Sequence, residues 1–209
     1  MTKLMRFSVM LAAVLGFAML PCAGQVAPAV SGAVAPQAGK FDLGITYTYK
    51  LAKLSSTTGW YFGIQGGSVD GVYWLGPKAY NLGVAFDFNG ETASNIGPGV
   101  NLSQLSFVAG PRYTLWKVKA PGKLSGTNIY GQALVGYVHA YNSIFPSGLT
   151  TTSSAGSFAL QTGGGANLPL NKQWGLRLVE ADYIYTQLPN SNGNYQGDVR
   201  FSGGVTYRF

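Results

Sequence analysis

From residue 40 onward, apolar and polar residues alternate with a period of two, in about eight runs of roughly ten residues each. The clearest run is the last. Asp198 to Phe209 (DVRFSGGVTYRF) puts Val199, Phe201, Gly203, Val205, Tyr207 and Phe209 on one face, with Asp198, Arg200, Ser202, Gly204, Thr206 and Arg208 on the other. The first (FDLGITYTYKL) sets Phe41, Leu43, Ile45, Tyr47, Tyr49 and Leu51 against Asp42, Thr46, Thr48 and Lys50. The second, near Gly59 to Val69, offers Trp60, Phe62 and Ile64 against Tyr61, Gln65 and Gly67. The third places Leu82, Val84, Phe86 and Phe88 opposite Asn81, Asp87, Asn89 and Glu91, and the fourth opposes Leu105, Phe107, Tyr113 and Leu115 to Gln104, Ser106, Arg112 and Thr114. The fifth sets Ile129, Ala133, Val135 and Tyr137 against Tyr130, Gln132 and Gly136. In the sixth, Phe158, Leu160, Ala166 and Leu168 face away from Ser157, Gln161 and Asn167.

The seventh run breaks phase. Trp174, Leu176 and Leu178 share a face opposite Arg177, after which Ala181, Tyr183 and Tyr185 form the apolar set opposite Glu180 and Asp182. One extra residue near Leu178 and Val179 would return Arg177, Glu180 and Asp182 to a single side, as a β-bulge does. No window longer than a few residues after the leader carries a 3.6-residue period, so the pattern predicts an all-β chain with essentially no helix.

The distribution of charge decides which face is inside. A soluble sandwich or lipocalin-like carrier hides its apolar face, whereas a membrane barrel turns apolar residues and aromatic girdles to lipid and keeps a polar interior. Here Asp42, Asp87, Glu91, Glu180, Asp182 and Asp198 share the polar face with Lys50, Arg112, Arg177 and Arg200. Residues of both signs suit a narrow, self-filled lumen, while the other face is dense in aromatics near run ends, as an interfacial belt is. The prediction is an eight-stranded antiparallel up-and-down transmembrane β-barrel over residues 40–209.

Composition supports this. Only 10% of the 209 residues are charged, 13% are aromatic and 30 are glycine, which is unlike an ordinary soluble domain. The formal net charge is +7 without any basic run, which argues against nucleic acid as a partner. Residues 1–24 read as a cleaved signal peptide: Lys3 and Arg6, an apolar stretch from Phe7 to Leu20, then small residues at Cys22, Ala23 and Gly24. The apolar stretch is too short to span a bilayer as a helix. Cys22 falls within this leader, and Pro21 before it departs from a lipidation site, so no thiol is expected in the exported chain. Residues 25–39 form an Ala/Pro-rich lead-in.

The terminal SGGVTYRF resembles the assembly signal of outer-membrane barrels, with Ser202, Gly204, Tyr207 and Phe209 in the pattern's positions. Residues 163–186 (GGGANLPLNKQWGLRLVEADYIYT) are similar to the penultimate hairpin of small eight-stranded outer-membrane β-barrels of the OmpA/OmpX type. The resemblance implies outer-membrane lipid as surroundings, barrel-assembly machinery that reads the last strand, and no peptidoglycan-binding domain after the barrel. With both ends periplasmic, Pro169 to Gln173 and the lysine-rich Lys117 to Leu124 become periplasmic turns. Lys53 to Thr58, Thr92 to Val100, Ser143 to Ser154 and Leu188 to Gly197 become outer loops that could meet an extracellular ligand. Asp70 to Lys78 reads as a long connection whose Tyr73, Trp74 and Leu75 suit interfacial anchoring.

The candidate lumen cluster is Asp42, Asp87, Arg112, Arg177, Glu180, Asp182 and Arg200, read as structural ion pairing because eight strands leave an interior that side chains fill. A small-solute channel is the alternative use of these charges. A lipid-processing enzyme would have to use His139, the only histidine, which register places on the apolar face beside Tyr137 and Tyr141. No catalytic residue, cofactor or metal site is expected: a single histidine without cysteine lacks the usual ligand set. Gly163, Gly164 and Gly165 lack the lysine and helix of a phosphate loop, which favours close strand packing.

Overall fold

A computed structural model describes residues 41–53, 61–75, 81–97, 100–119, 124–147, 149–190 and 194–209. The expected leader (1–24), the lead-in (25–39) and most of the expected outer loop Lys53 to Thr58 lie outside them. Among the described residues eight strands follow in order and none is helical: β1 (Phe41–Lys53), β2 (Tyr61–Trp74), β3 (Leu82–Gly97), β4 (Val100–Lys117), β5 (Asn128–Ser147), β6 (Thr150–Pro169), β7 (Trp174–Thr186) and β8 (Gln196–Arg208). Each pairs antiparallel with its neighbour, and β8 pairs with β1 from Asp42↔Arg208 to Leu51↔Val199, closing the barrel and leaving no open edge. The rim where β1 begins and β8 ends is the lower rim; the opposite one is the upper rim.

Alternation sorts the side chains as the sequence predicts. On β1, Thr46, Thr48 and Lys50 are buried while Ile45, Tyr47 and Tyr49 stand exposed on the outside. An outward aromatic ladder crosses four strands in register: Phe88↔Phe107, Phe107↔Tyr137 and Tyr137↔Phe158. Several outward tyrosines lean toward the upper rim. The Tyr47 hydroxyl donates to Gln65 Oε1 at 2.9 Å, and the rings of Tyr49, Tyr137 and Tyr183 cover Gly63, Gly156 and Gly197 on adjoining strands. At the lower rim Phe209 meets Phe41 and Tyr207, with ring centroids 5.8 and 4.8 Å apart, and Tyr207 meets Trp174 at 5.0 Å. Apolar bodies outside, with polar tips toward the ends, match what an aromatic girdle needs.

Three expectations require correction. The second run is out of phase: Ile64 is wholly buried and Phe62 packs against the interior cluster, whereas Tyr61 is exposed outside. Both faces of that run carry large apolar residues, so the apolar pattern alone left its side undetermined. Asp70 to Lys78 is not one long connection, because β2 continues through Trp74 and β3 starts at Leu82; Asp70 is an interior residue paired in register with Gly44 and Asp87. Finally, the outer loops expected at Thr92 to Val100 and Ser143 to Ser154 are largely strand, since β3–β4 pairing reaches Gly97↔Val100 and β5–β6 pairing reaches Ser147↔Thr150.

Those two tall hairpins share a device. In each, the register shifts just below the tip, between Ala93 and Gly97 and between Tyr141 and Phe145. Within each shift an asparagine takes a left-handed backbone, Asn95 at φ 58° and Asn142 at φ 61°, a conformation asparagine tolerates better than most residues. Asn142 Nδ2 also donates to Ser103 Oγ on β4 at 3.4 Å. The β6–β7 connection, by contrast, is a tight turn in which Asn171 Oδ1 accepts the N–H groups of Gln173 (2.8 Å) and Trp174 (2.7 Å).

Candidate functional site

Every acidic side chain of the sequence points into the barrel. Of the seven, Asp70, Asp87, Glu91, Glu180, Asp182 and Asp198 are buried, and Asp42 is half-buried at the lower rim. Lys50, Arg112, Arg177 and Arg200 are buried among them. Such a concentration survives because each charge is paired; an isolated buried charge would cost several kcal/mol.

The pairing is layered. Nearest the lower rim, Arg208 grips Asp42 through Nε at 2.7 Å and Nη2 at 2.8 Å, and Trp74 Nε1 donates to the same carboxylate at 2.9 Å. Further in, Arg177 binds Asp70 in a fork, Nη1 to Oδ1 at 2.6 Å and Nη2 to Oδ2 at 2.8 Å, while its Nε donates to Asn167 Oδ1 at 3.2 Å. Arg177 Nη1 also lies 3.3 Å from Glu180, which accepts a hydrogen bond from the Tyr130 hydroxyl. Arg112 completes this layer, with Nε donating to Gln132 Oε1 at 2.8 Å and its guanidinium stacked over the Tyr130 ring at 4.3 Å. The middle layer centres on Arg200, whose Nη2 reaches Asp87 at 2.6 Å and Asp182 at 3.0 Å; Gln161 bridges both carboxylates. Above it, Lys50 meets Glu91 and Gln104 at 2.5 Å each.

An apolar layer caps these charges. Ala52, Phe62, Ala93, Leu102, Ala140 and Phe145, from the upper ends of the strands, and Leu188, just beyond β7, pack together inside the barrel. Beneath, a cavity of about 10 Å³ beside Lys50, Glu91 and Gln104 has the volume of roughly one water. Ion pairs and apolar cap together fill the middle and upper interior, which opposes a continuous path for solutes.

The expected lumen residues therefore fall into two groups. Arg112, Arg177 and Glu180 meet in one layer, Asp87, Asp182 and Arg200 in the next; Asp42 stands apart at the mouth. Arg177, Glu180 and Asp182 share the inside because Leu178 and Val179 both turn outward, with register shifts on either side of β7 at that point. Asp70 was the residue sequence reasoning missed. Gly66, Gly67 and Gly71 around it look like a loop, yet Ser68, Asp70 and Val72 keep strict period two and are all buried.

On β8, Ser202 faces inward near Glu180 at 3.4 Å, and Gly204 lies against β1, where a Cβ would come 2.1 Å from the Ile45 carbonyl oxygen. Tyr207 and Phe209 join the outward aromatic cluster. His139 is exposed on the outer face, its ring stacked with Tyr141 at 6.0 Å, so all the carboxylates lie on the opposite side of the barrel wall. Gly164 sits where a Cβ would come 2.2 Å from the Tyr130 carbonyl oxygen, a close approach between strands.

No protein-family model matches the chain, and no curated protein matches it in sequence. Among solved structures it is similar to Neisserial surface protein A (NspA), with 19% identity and a TM-score of 0.58 over 82% of this chain and 99% of that one. It is also similar to Ail, the attachment invasion locus protein of Yersinia pestis, solved in complex with the heparin analogue sucrose octasulfate. Identity there is 18% and the TM-score 0.53, again over 82% of this chain and 99% of that one. Identities this low establish likeness of fold. A closed, eight-stranded, antiparallel barrel is what these neighbours and this chain share: it has the fold of the small outer-membrane β-barrels.

Proposed function

We propose that the chain is exported by its 1–24 leader and sits in an outer membrane, both rims exposed to water, and that it acts by binding rather than catalysis, through the hairpin tips of the upper rim. On this reading the upper rim is extracellular, and the machinery that assembles the barrel reads β8 through Ser202, Gly204, Tyr207 and Phe209. The ion-paired lumen serves as the barrel's core.

The observation that carries the proposal is strand length. A tilted transmembrane strand needs about 9–11 residues, yet β5 and β6 have 20 residues each. The surplus projects beyond the bilayer as an ordered hairpin, a preformed surface that a partner can meet. Its tip is polar but uncharged: Asn142, Ser143 and Ser147 on one strand, Thr150 to Ser154 on the other, with Ile144 exposed between them.

This chemistry also restricts the ligand. Ail, of the same fold, was solved with a sulfated heparin analogue. Here the sequence from 124 to 171 contains no Asp, Glu, Lys or Arg, and neither does 183–197, so a polyanion would find almost no counter-charge at this rim. An uncharged partner, recognised by hydrogen bonds from Ser, Thr and Asn with a small apolar contact, fits better. Cells displaying the wild-type protein should bind a neutral glycan or protein surface in array screens, and replacement of 142–154 by a short turn should abolish that binding while the barrel still assembles. Equal binding by the shortened protein would contradict the proposal, as would capture by heparin that depends on this hairpin.

A further inference from the structure

The lower rim has the opposite character. The lumen opens there into a cavity of about 150 Å³, floored by Arg112 and Arg177 and rimmed by Lys117, Lys172 and Arg208. Only two carboxylates, Asp42 and Asp70, line it. Both are already committed, Asp42 to the two-pronged contact with Arg208 and Asp70 to the fork of Arg177. The chain has no acidic side chain left to offer at this mouth, because six of the seven lie inside the barrel and the seventh, Asp42, is held by Arg208. Lys117 and Lys172, on the β4 end and the β6–β7 turn, are exposed cations that pair with no Asp or Glu among the described residues. Lys119, two residues after Lys117, is exposed as well.

We infer that this mouth is an anion-binding vestibule whose ligand is a phosphate-type oxyanion, seated between Lys117 and Lys172 above the Arg112–Arg177 floor. Volume and field agree on this. About 150 Å³ is room for several waters, enough for one tetrahedral oxyanion but not for a polymer threading the lumen. Low-dielectric walls around like charges focus the potential into the mouth and raise local anion concentration. The oxyanion could be free phosphate from the aqueous side or the phosphate headgroup of an anionic lipid at the rim; both present the same charge and oxygens. That this rim faces the periplasm rests on the orientation proposed above, whereas binding itself does not.

The test uses the full barrel in uncharged maltoside micelles, titrated with inorganic phosphate and followed by amide and side-chain NMR shifts around the lower rim. A second arm replaces micelles by bicelles of phosphatidylcholine with or without phosphatidylglycerol. Saturable shifts with phosphate support a free-anion site, and shifts seen only with phosphatidylglycerol support a headgroup site. In either case the double variant Lys117→Gln/Lys172→Gln, whose lysines make no ion pair and whose folding is checked by the same spectra, should weaken binding about tenfold or more. Lys119→Gln, outside the cavity lining, should change it less than about twofold, and added salt should weaken binding in the wild type. No saturable response in either arm, or a response that survives the double variant, overturns the inference. Recovery of the protein in a soluble fraction would instead overturn the membrane assignment and leave this titration intact.

Discussion

Arg177 and Asp70, 107 residues apart in sequence, meet inside the barrel as a forked ion pair with contacts of 2.6 and 2.8 Å. The pair ties β7 to β2 across the lumen, so it holds strands that share no backbone hydrogen bond. Both side chains are almost fully buried, and removing one partner leaves the other as an uncompensated charge. Arg177→Leu should therefore cost about 3–5 kcal/mol in urea unfolding from detergent or lipid. The double variant Asp70→Leu/Arg177→Leu should recover part of that loss. Unaltered unfolding of Arg177→Leu would show that the arginine is not buried as described.

The seam between β8 and β1 gives a second expectation, sharper because two adjacent glycines differ. A Cβ on Gly204 would lie 2.1 Å from the Ile45 carbonyl oxygen and 2.7 Å from Thr46 Cα, backbone atoms that cannot swing aside. A Cβ on Gly203 would meet nothing nearer than 3.5 Å. Gly204→Ala should thus slow or reduce formation of the compact, heat-modifiable band in gels, and Gly203→Ala should leave it near wild type. Equal behaviour of the two would argue against the seam as drawn.

At the upper rim, Asn142 holds its left-handed backbone below the β5–β6 tip. A β-branched residue there should cost about 1–2 kcal/mol, whereas glycine should be accepted. Because the strain is confined to the hairpin, Asn142→Val is expected to expose the tip to protease while global unfolding changes little. A tip as resistant as wild type after Asn142→Val would count against the kink.

Much of this architecture was legible in the sequence, and the exceptions have physical causes. The phase break in β7 could be read because Arg177, Glu180 and Asp182 are costly anywhere but inside, so their charges fix the parity and force Leu178 and Val179 outward together. In β2 the same logic lacked an anchor. Tyr61 and Ile64 are both large and apolar, and the one residue that fixes the phase, Asp70, sits among glycines that mimic a connection. Its partner Arg177 is remote in sequence, so no local pattern announces the pair. The tall hairpins resemble loops in sequence for a related reason: near their tips both faces are exposed, and Ser/Thr-rich strands such as Thr150 to Ser154 then lose the apolar alternation that marks a strand.

On the proposed function the apolar face of this barrel meets lipid. Val135, exposed on the outside of β5 with Ala133 and Tyr137 on the same face, is the place to probe it. Val135→Arg should cost about 2–4 kcal/mol in bilayer vesicles if the position lies near the midplane. The most direct measurement is a spin label on a single cysteine at Val135, in a Cys22→Ser background, in protein folded into vesicles. A lipid-facing label should show high collision accessibility to oxygen, which partitions into lipid, and low accessibility to a water-soluble nickel chelate. Ready access by the nickel chelate at this position would contradict it.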